Sequence, residues 1–167
     1  DVVVAPVFAT KADNGVYVLE ASFETSMPLD RVYPFFDRPE NLGEMTPPWV
    51  GFKMLTPDPI PMHVGAVVDY TVRVHGVPMR WTTLITEYDP PHRFVDVQLR
   101  GPYSLWHHTH TFEATPNGTL IRDRVCYLPP FGALGRLMNA LLIRRDVQNI
   151  FDYRRRFLVE RFGEAST

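Results

Sequence analysis

Apolar and polar residues alternate along most of the chain, which is the pattern of strands that bury one face. The alternation predicts strands at residues 16–23, 50–55, 66–74, 77–88, 94–99, 103–114 and 119–128. The pattern changes after Pro130, because all 16 prolines lie at or before that residue and the remaining residues take a helical spacing. The sequence therefore predicts a seven-stranded antiparallel sheet followed by one long C-terminal helix.

Two short helices are predicted between the first two strands. Ser26 has the position of an N-cap and Pro28 that of a first-turn proline, so the first helix begins here and runs to Phe36. Pro34 predicts a kink or an early end of this helix. The second short helix covers residues 39–45.

The C-terminal helix is predicted to be amphipathic, with arginines on a charged outer face. The acidic residues of the same helix partly neutralise these arginines, which favours a solvated face over a membrane-binding one. The apolar positions expected to face the sheet are Leu137, Leu141, Val147, Ile150, Phe151, Phe157 and Leu158.

The dipeptide Asn117-Gly118 is a strong signal for a two-residue hairpin turn. Such a turn places Phe112 opposite Asp123 and His110 opposite Val125. Glu113 and Arg122 then share a face that suits solvent. The residues predicted to point inward are Trp106, His108, His110, Phe112, Asp123, Val125 and Tyr127.

Two further hairpins are expected at His75-Gly76 and at Gly101-Pro102. A two-residue turn at the first pairs Tyr70 with Trp81 and extends the inner face through Val72, Met79, Thr83 and Ile85. The second hairpin leaves two alternatives open, because a slip of one residue exchanges the faces. Apolar alternation favours Val95, Val97 and Leu99 inside; the other register places Asp96 and Gln98 inside.

Composition limits the classes of function. The net charge is −2, from 17 basic and 19 acidic residues, which argues against a general nucleic-acid binder. A single cysteine, Cys126, excludes an internal disulfide. No apolar run is long enough to cross a bilayer. We expect a leader of uncertain status at residues 1–14, one domain at 15–163, a tail at 164–167 and a cytoplasmic location.

The predicted inner face mixes aromatic rings with polar groups. A helix is narrower than a seven-stranded curved sheet, so a gap is expected between them, and an apolar pocket with a few polar groups is typical of a small-molecule site. The predicted ligand-binding residues are Tyr70, Met79, Trp81, Trp106, His108, His110, Phe112, Asp123 and Tyr127.

Several short motifs are spread along the chain: Pro39-Glu40-Asn41-Leu42, Arg80-Trp81, Asp89-Pro90-Pro91, Arg93-Phe94-Val95-Asp96, Arg100-Gly101-Pro102-Tyr103, Trp106, His108-Thr109-His110 and Phe151-Asp152-Tyr153-Arg154. These motifs resemble a bacterial ligand-binding branch of the START-like, or SRPBCC, superfamily. The resemblance covers about residues 16–162 and implies a helix-grip fold of the α+β class, with an internal cavity but no particular substrate.

The expected function is binding of a hydrophobic small molecule, such as a lipid, a polyketide-like compound or an aromatic one, by a carrier or sensor. The alternative is a cyclase, dehydratase or isomerase in which His110 and Asp123 act as an acid–base pair. His108, His110 and Asp123 could also form a metal site, but a hydrogen-bonded network is favoured, so no metal or cofactor is expected. We expect no nucleic-acid partner and no stable membrane insertion.

Overall fold

The structure is a computed structural model that describes residues 8–11 and 15–165. Within them, eight strands form one antiparallel sheet in the order β1-β2-β8-β7-β6-β5-β4-β3. The strands are β1 (Phe8–Lys11), β2 (Tyr17–Thr25), β3 (Lys53–Met54), β4 (Val67–Val74), β5 (Val77–Asp89), β6 (Arg93–Arg100), β7 (Leu105–Thr115) and β8 (Gly118–Leu128).

The helices cover one face of this curved sheet. α1 (Leu29–Phe36) follows β2, and the C-terminal segment consists of α2 (Gly132–Met138), a π-helical turn (Asn139–Ile143) and α3 (Arg144–Phe162). Leu158 of α3 packs in the same core cluster as residues of α1 and β7, and Val147 packs on β2 and β8. The predicted helix-grip α+β fold is confirmed.

The short elements differ from the predictions in their bounds. Ser26 makes no cap: Pro28 occupies the N-cap position of α1, without a side-chain hydrogen bond, and the helix passes through Pro34 and ends at Phe36. The second predicted helix is a 3₁₀ turn at Pro39–Gly43. Of the strand predicted at 50–55, only Lys53–Met54 forms a strand, β3.

One strand lies where the sequence predicted a leader. Phe8–Lys11 pairs with β2, so the sheet has eight strands where the sequence predicted seven. The rest of the predicted leader, residues 1–7 and 12–14, lies outside the described residues, as do residues 166–167 of the predicted tail.

The hairpin at His75-Gly76 has the predicted register. Tyr70 lies opposite Trp81 and Val74 opposite Val77. Both turn residues have positive φ, 48° for His75 and 81° for Gly76, as the turn type with two left-handed residues requires.

The register predicted at Asn117-Gly118 is wrong by two residues. The turn is Pro116-Asn117, and Gly118 already pairs with Thr115 in the sheet. A side chain at Gly118 would collide with the Thr25 carbonyl oxygen. The absence of a side chain here therefore allows the backbone of β2 to approach closely. A shift of two residues preserves the faces, but it places His110, rather than Phe112, opposite Asp123.

The favoured register at Gly101-Pro102 is also wrong. Asp96 lies opposite His108 and faces the interior, whereas Leu99 is exposed. The connection spans four residues because the Gln98 side chain hydrogen-bonds both the N–H and the carbonyl of Tyr103. The longer loop slips the pairing by one residue and thereby exchanges the faces.

The C-terminal helix is one unbroken helical segment, as predicted, but it includes a π-helical turn. Leu137 and Leu141, predicted to face the sheet, are 55% and 63% exposed. Leu137 precedes this turn and Leu141 lies within it, and the extra residues of the turn rotate both away from the sheet. Among the described residues, no helix is long and apolar enough to span a membrane.

Candidate functional site

A cavity of about 190 Å³ lies between the inner face of the sheet and α3. Its walls are mostly apolar: β4 and β5 supply Val68 and Ile85 on one side, and α3 supplies Val147 and Phe151 on the other. The sheet curves away from the helix, so these side chains do not meet. The polar residues of β6 and β7 lie close together in the lining, and we call this part of the cavity its polar end. The arrangement is that of a small-molecule pocket.

Five of the nine predicted site residues line this cavity: Tyr70, Trp81, Trp106, His108 and His110. Asp123 lies behind the two histidines and borders a smaller void with Arg154.

The other three lie elsewhere. Met79 sits near the tip of its hairpin and is 37% exposed. Phe112 is buried in the core beneath α1, and Tyr127 packs against β2 and α3 and donates a hydrogen bond to Asn139. A side chain that points inward therefore does not necessarily line the cavity, because the cavity occupies only part of the inner face of the sheet.

An aromatic group forms one wall. The Trp81 ring stacks on Tyr70 at 6.0 Å between centroids and meets Trp106 edge-on at 5.2 Å. Burial raises the pKa of Tyr70, which keeps its hydroxyl protonated within 3.4 Å of the Thr83 hydroxyl. The indole N–H of Trp81 is buried without a hydrogen-bond partner, so it can donate to a polar group of a ligand.

The polar end is a closed cluster of two imidazoles between two carboxylates. His108 and His110 are two positions apart on β7, so both point inward, and their rings stack at 3.6 Å. His108 donates from Nε2 to Asp123 at 2.7 Å, and His110 donates from Nε2 to Asp96 at 2.5 Å. All four side chains are largely buried.

Arg154 on α3 completes the cluster and was missed by the sequence analysis, which placed it on the outer face. Its guanidinium lies 3.3 Å from Asp123 and lines the cavity. The signal was available: Arg154 follows Val147 by seven positions and Phe151 by three, and precedes Leu158 by four, so it shares their buried stripe.

The electrostatics of the cluster favour ionised carboxylates and a neutral His110. Burial opposes ionisation of Asp123, but the charge of Arg154 and the hydrogen bond from His108 outweigh it and lower the pKa of that carboxyl. The pKa of Asp96 is also lowered, because His108 and His110 outweigh its burial. Burial and the neighbouring His108 lower the pKa of His110 to about 4.

The free energy of unfolding is expected to fall as the pH drops from about 6.5 to about 4. In this window the unfolded chain protonates His110 and the folded protein does not, so stability is full above the window, decreases through it and is lower by about 3 kcal/mol below it. Urea denaturation at a series of pH values, with a chelator present, measures the slope. His107→Gln serves as the control. An unchanged slope in His110→Gln would contradict the assignment.

The comparisons with known proteins agree with this geometry. The sequence pattern of the family described as polyketide cyclase / dehydrase and lipid transport matches residues 25–151, about three quarters of the chain. The chain belongs to the polyketide cyclase/dehydrase and lipid transport family. A search of curated proteins gave no match.

Solved structures share the fold of this family member at low sequence identity. Protein Ms6760 from Mycobacterium smegmatis is 18% identical with a TM-score of 0.65, and the match covers 93% of this chain and 99% of that protein. Protein CV1439 from Chromobacterium violaceum is 17% identical, with a TM-score of 0.66 over 87% and 97%. The Zhui aromatase/cyclase from a Streptomyces species is 15% identical, with a TM-score of 0.63 over 86% and 94%.

Proposed function

We propose that this protein binds a hydrophobic small molecule with at least one polar group in the cavity, and that it acts as a carrier or sensor. The observation that carries the proposal is a cavity with a mostly apolar lining and a compact cluster of buried polar side chains, the polar end. Burial of the ligand's apolar part would supply the affinity, and hydrogen bonds at the polar end would fix its orientation.

The volume favours one of the expected ligand classes. An apolar cavity of about 150 Å³ holds a benzene molecule, so a space of about 190 Å³ that is partly open suits an aromatic compound, whose larger substituents extend outward, better than a long-chain lipid. The rings of Tyr70, Trp81 and Trp106 offer flat surfaces for such a compound. Membership of a family described by cyclases and lipid transport is consistent with this class of ligand.

An enzyme of the cyclase, dehydratase or isomerase type is the second candidate. One observation favours it: the neutral imidazole of His110 lines the cavity and is held by a carboxylate, which is an arrangement that suits a general base. The structural likeness to the Zhui aromatase/cyclase is compatible with it. Turnover of a polyketide-like substrate that disappears in His110→Gln would replace the carrier proposal with this one.

Filling the cavity is expected to abolish binding. Val68 is 3% exposed and lines the cavity, whereas the adjacent Val67 is 47% exposed on the other face of β4. Val68→Phe should weaken binding of the fluorescent probe 1-anilinonaphthalene-8-sulfonate at least tenfold, because its ring takes the ligand's place. Val67→Phe, the matched control, should bind as the wild type does.

Fluorescence titration of the two variants measures this difference. Native mass spectrometry of freshly purified protein adds an independent measurement, and a bound mass is expected in the wild type and in Val67→Phe but not in Val68→Phe. Equal probe affinity in the two variants would show that the cavity is not the binding site.

A further inference from the structure

We propose that Asp96, His108 and His110 form a binding site for a divalent transition-metal ion such as Zn²⁺, at the polar end of the cavity. Each side chain offers one ligand atom, and the three atoms lie within 4.8 Å of one another. Two histidines and one carboxylate are a set that binds such ions and leaves further coordination positions free. All three residues line the cavity.

The sheet pairing aims the three ligand atoms at one another. Asp96 of β6 lies directly opposite His108 of β7, and His110 is two positions along the same strand. The Asp96 Oδ2 atom is 2.5 Å from His110 Nε2 and 3.7 Å from His108 Nδ1. The backbone of two paired strands therefore fixes the donor set, and only side-chain rotations are needed to receive an ion.

The hydrogen bonds within the cluster are incomplete without an ion. A neutral imidazole has one N–H, and His110 uses it at Nε2 in its short bond to Asp96. His110 Nδ1 is then a buried atom with no hydrogen-bond partner, 3.4 Å from Asp123 Oδ1. A lone pair of His110 thus faces a carboxylate, which is unfavourable.

A metal ion resolves this conflict. His110 would bind it through Nε2 and donate its proton from Nδ1 to Asp123, while His108 would bind through Nδ1 and keep its bond to Asp123 from Nε2. Asp123 would then orient both imidazoles from behind, as carboxylates commonly do for metal-bound histidines. Arg154, 3.3 Å from Asp123, holds that carboxylate in turn. Binding requires the Asp96–His110 bond to open and the stacked rings to separate.

The chemistry of the donors selects the class of ion. Imidazole nitrogens favour Zn²⁺, Co²⁺ or Fe²⁺ over Mg²⁺ and Ca²⁺, which prefer oxygen ligands. Histidines bind a metal ion in their neutral form, so the two carboxylates then outweigh the single guanidinium of Arg154 and a positive ion improves the charge balance. Three protein side chains leave coordination positions of the ion free on the side of the cavity. An oxygen atom of an aromatic or polyketide-like small molecule could bind the ion there.

Titration of the metal-stripped full-length protein with Co²⁺ and Zn²⁺ tests the inference. We expect one equivalent of each ion by isothermal titration calorimetry, together with visible absorption bands of Co²⁺ bound to the protein. Asp96→Asn and His110→Ala should weaken binding at least tenfold. His107→Ala removes a histidine from the same strand that points to the opposite face, so it should bind as the wild type does.

Absence of a stoichiometric wild-type signal would overturn the proposal, as would equal binding by Asp96→Asn. The isosteric Asp96→Asn decides the outcome if His110→Ala does not fold, which circular dichroism reports. Binding of 1-anilinonaphthalene-8-sulfonate to the metal-free wild type separates the two proposals, because retained probe binding with no metal binding would leave the cavity function standing and reject the metal site alone.

Discussion

Replacing Asp123 with alanine is expected to lower the free energy of unfolding by about 3–5 kcal/mol. The carboxylate is 7% exposed and contacts His108, His110 and Arg154. Its removal leaves the buried guanidinium of Arg154 without the carboxylate that contacts it, and the more distant Asp96 offsets the desolvation of that charge only in part. Urea denaturation at pH 7 measures the loss.

A carboxylate on the other face of the sheet provides the control. Asp69 contacts Arg80 and Thr82 but is 25% exposed, and Arg80 is about half exposed. Solvent screens this pair, so Asp69→Ala should cost no more than about 1 kcal/mol. Similar losses of unfolding free energy in the two variants would contradict this prediction, because they would mean that solvent screens the charge of Asp123 as it screens that of Asp69.

Replacing Phe112 with alanine should also destabilise the protein, by about 3–5 kcal/mol. The side chain is 2% exposed and touches the rings of Tyr33 and Phe36 at 5.2 and 5.0 Å between centroids. The substitution creates a cavity beneath α1, separated from the ligand cavity by the ring of Phe36. Because Phe112 does not line the ligand cavity, the affinity for 1-anilinonaphthalene-8-sulfonate should change less than twofold in the folded variant.

Phe131→Ala is the matched control, because this phenylalanine is 80% exposed. Its loss should change stability by no more than about 0.5 kcal/mol. Thermal and urea denaturation report stability, and probe titration reports the ligand cavity. A large loss of probe affinity in Phe112→Ala at unchanged stability would show that Phe112 takes part in ligand binding, as the sequence predicted.

The strands and their faces were predictable because the period of a strand is two residues. That periodicity identified Trp106, His108, His110 and Asp123 as inward-facing, and they are. It could not identify the partner of each residue. A register shifted by two residues has the same faces, so the sequence paired His110 with Val125, whereas Asp123 lies opposite His110.

Two members of the polar cluster needed three-dimensional information. The facing of Asp96 depends on the length of the loop after β6, which a hydrogen bond from Gln98 to Tyr103 sets. Arg154 was assigned to solvent because arginine is usually exposed, although its helical position matches the buried stripe. Its burial depends on a carboxylate from a distant strand, Asp123, that no local pattern reveals.

The order of strands and helices, the inner and outer faces and the presence of a mixed aromatic and histidine surface were determined by the sequence, because each follows from spacing between near neighbours. The tertiary structure alone decided the extent of the cavity and the pairing of His110 with both carboxylates. It also decided that Phe112 belongs to the core. These features depend on contacts between residues far apart along the chain, and sheet register, loop length and the π-helical turn set those contacts together.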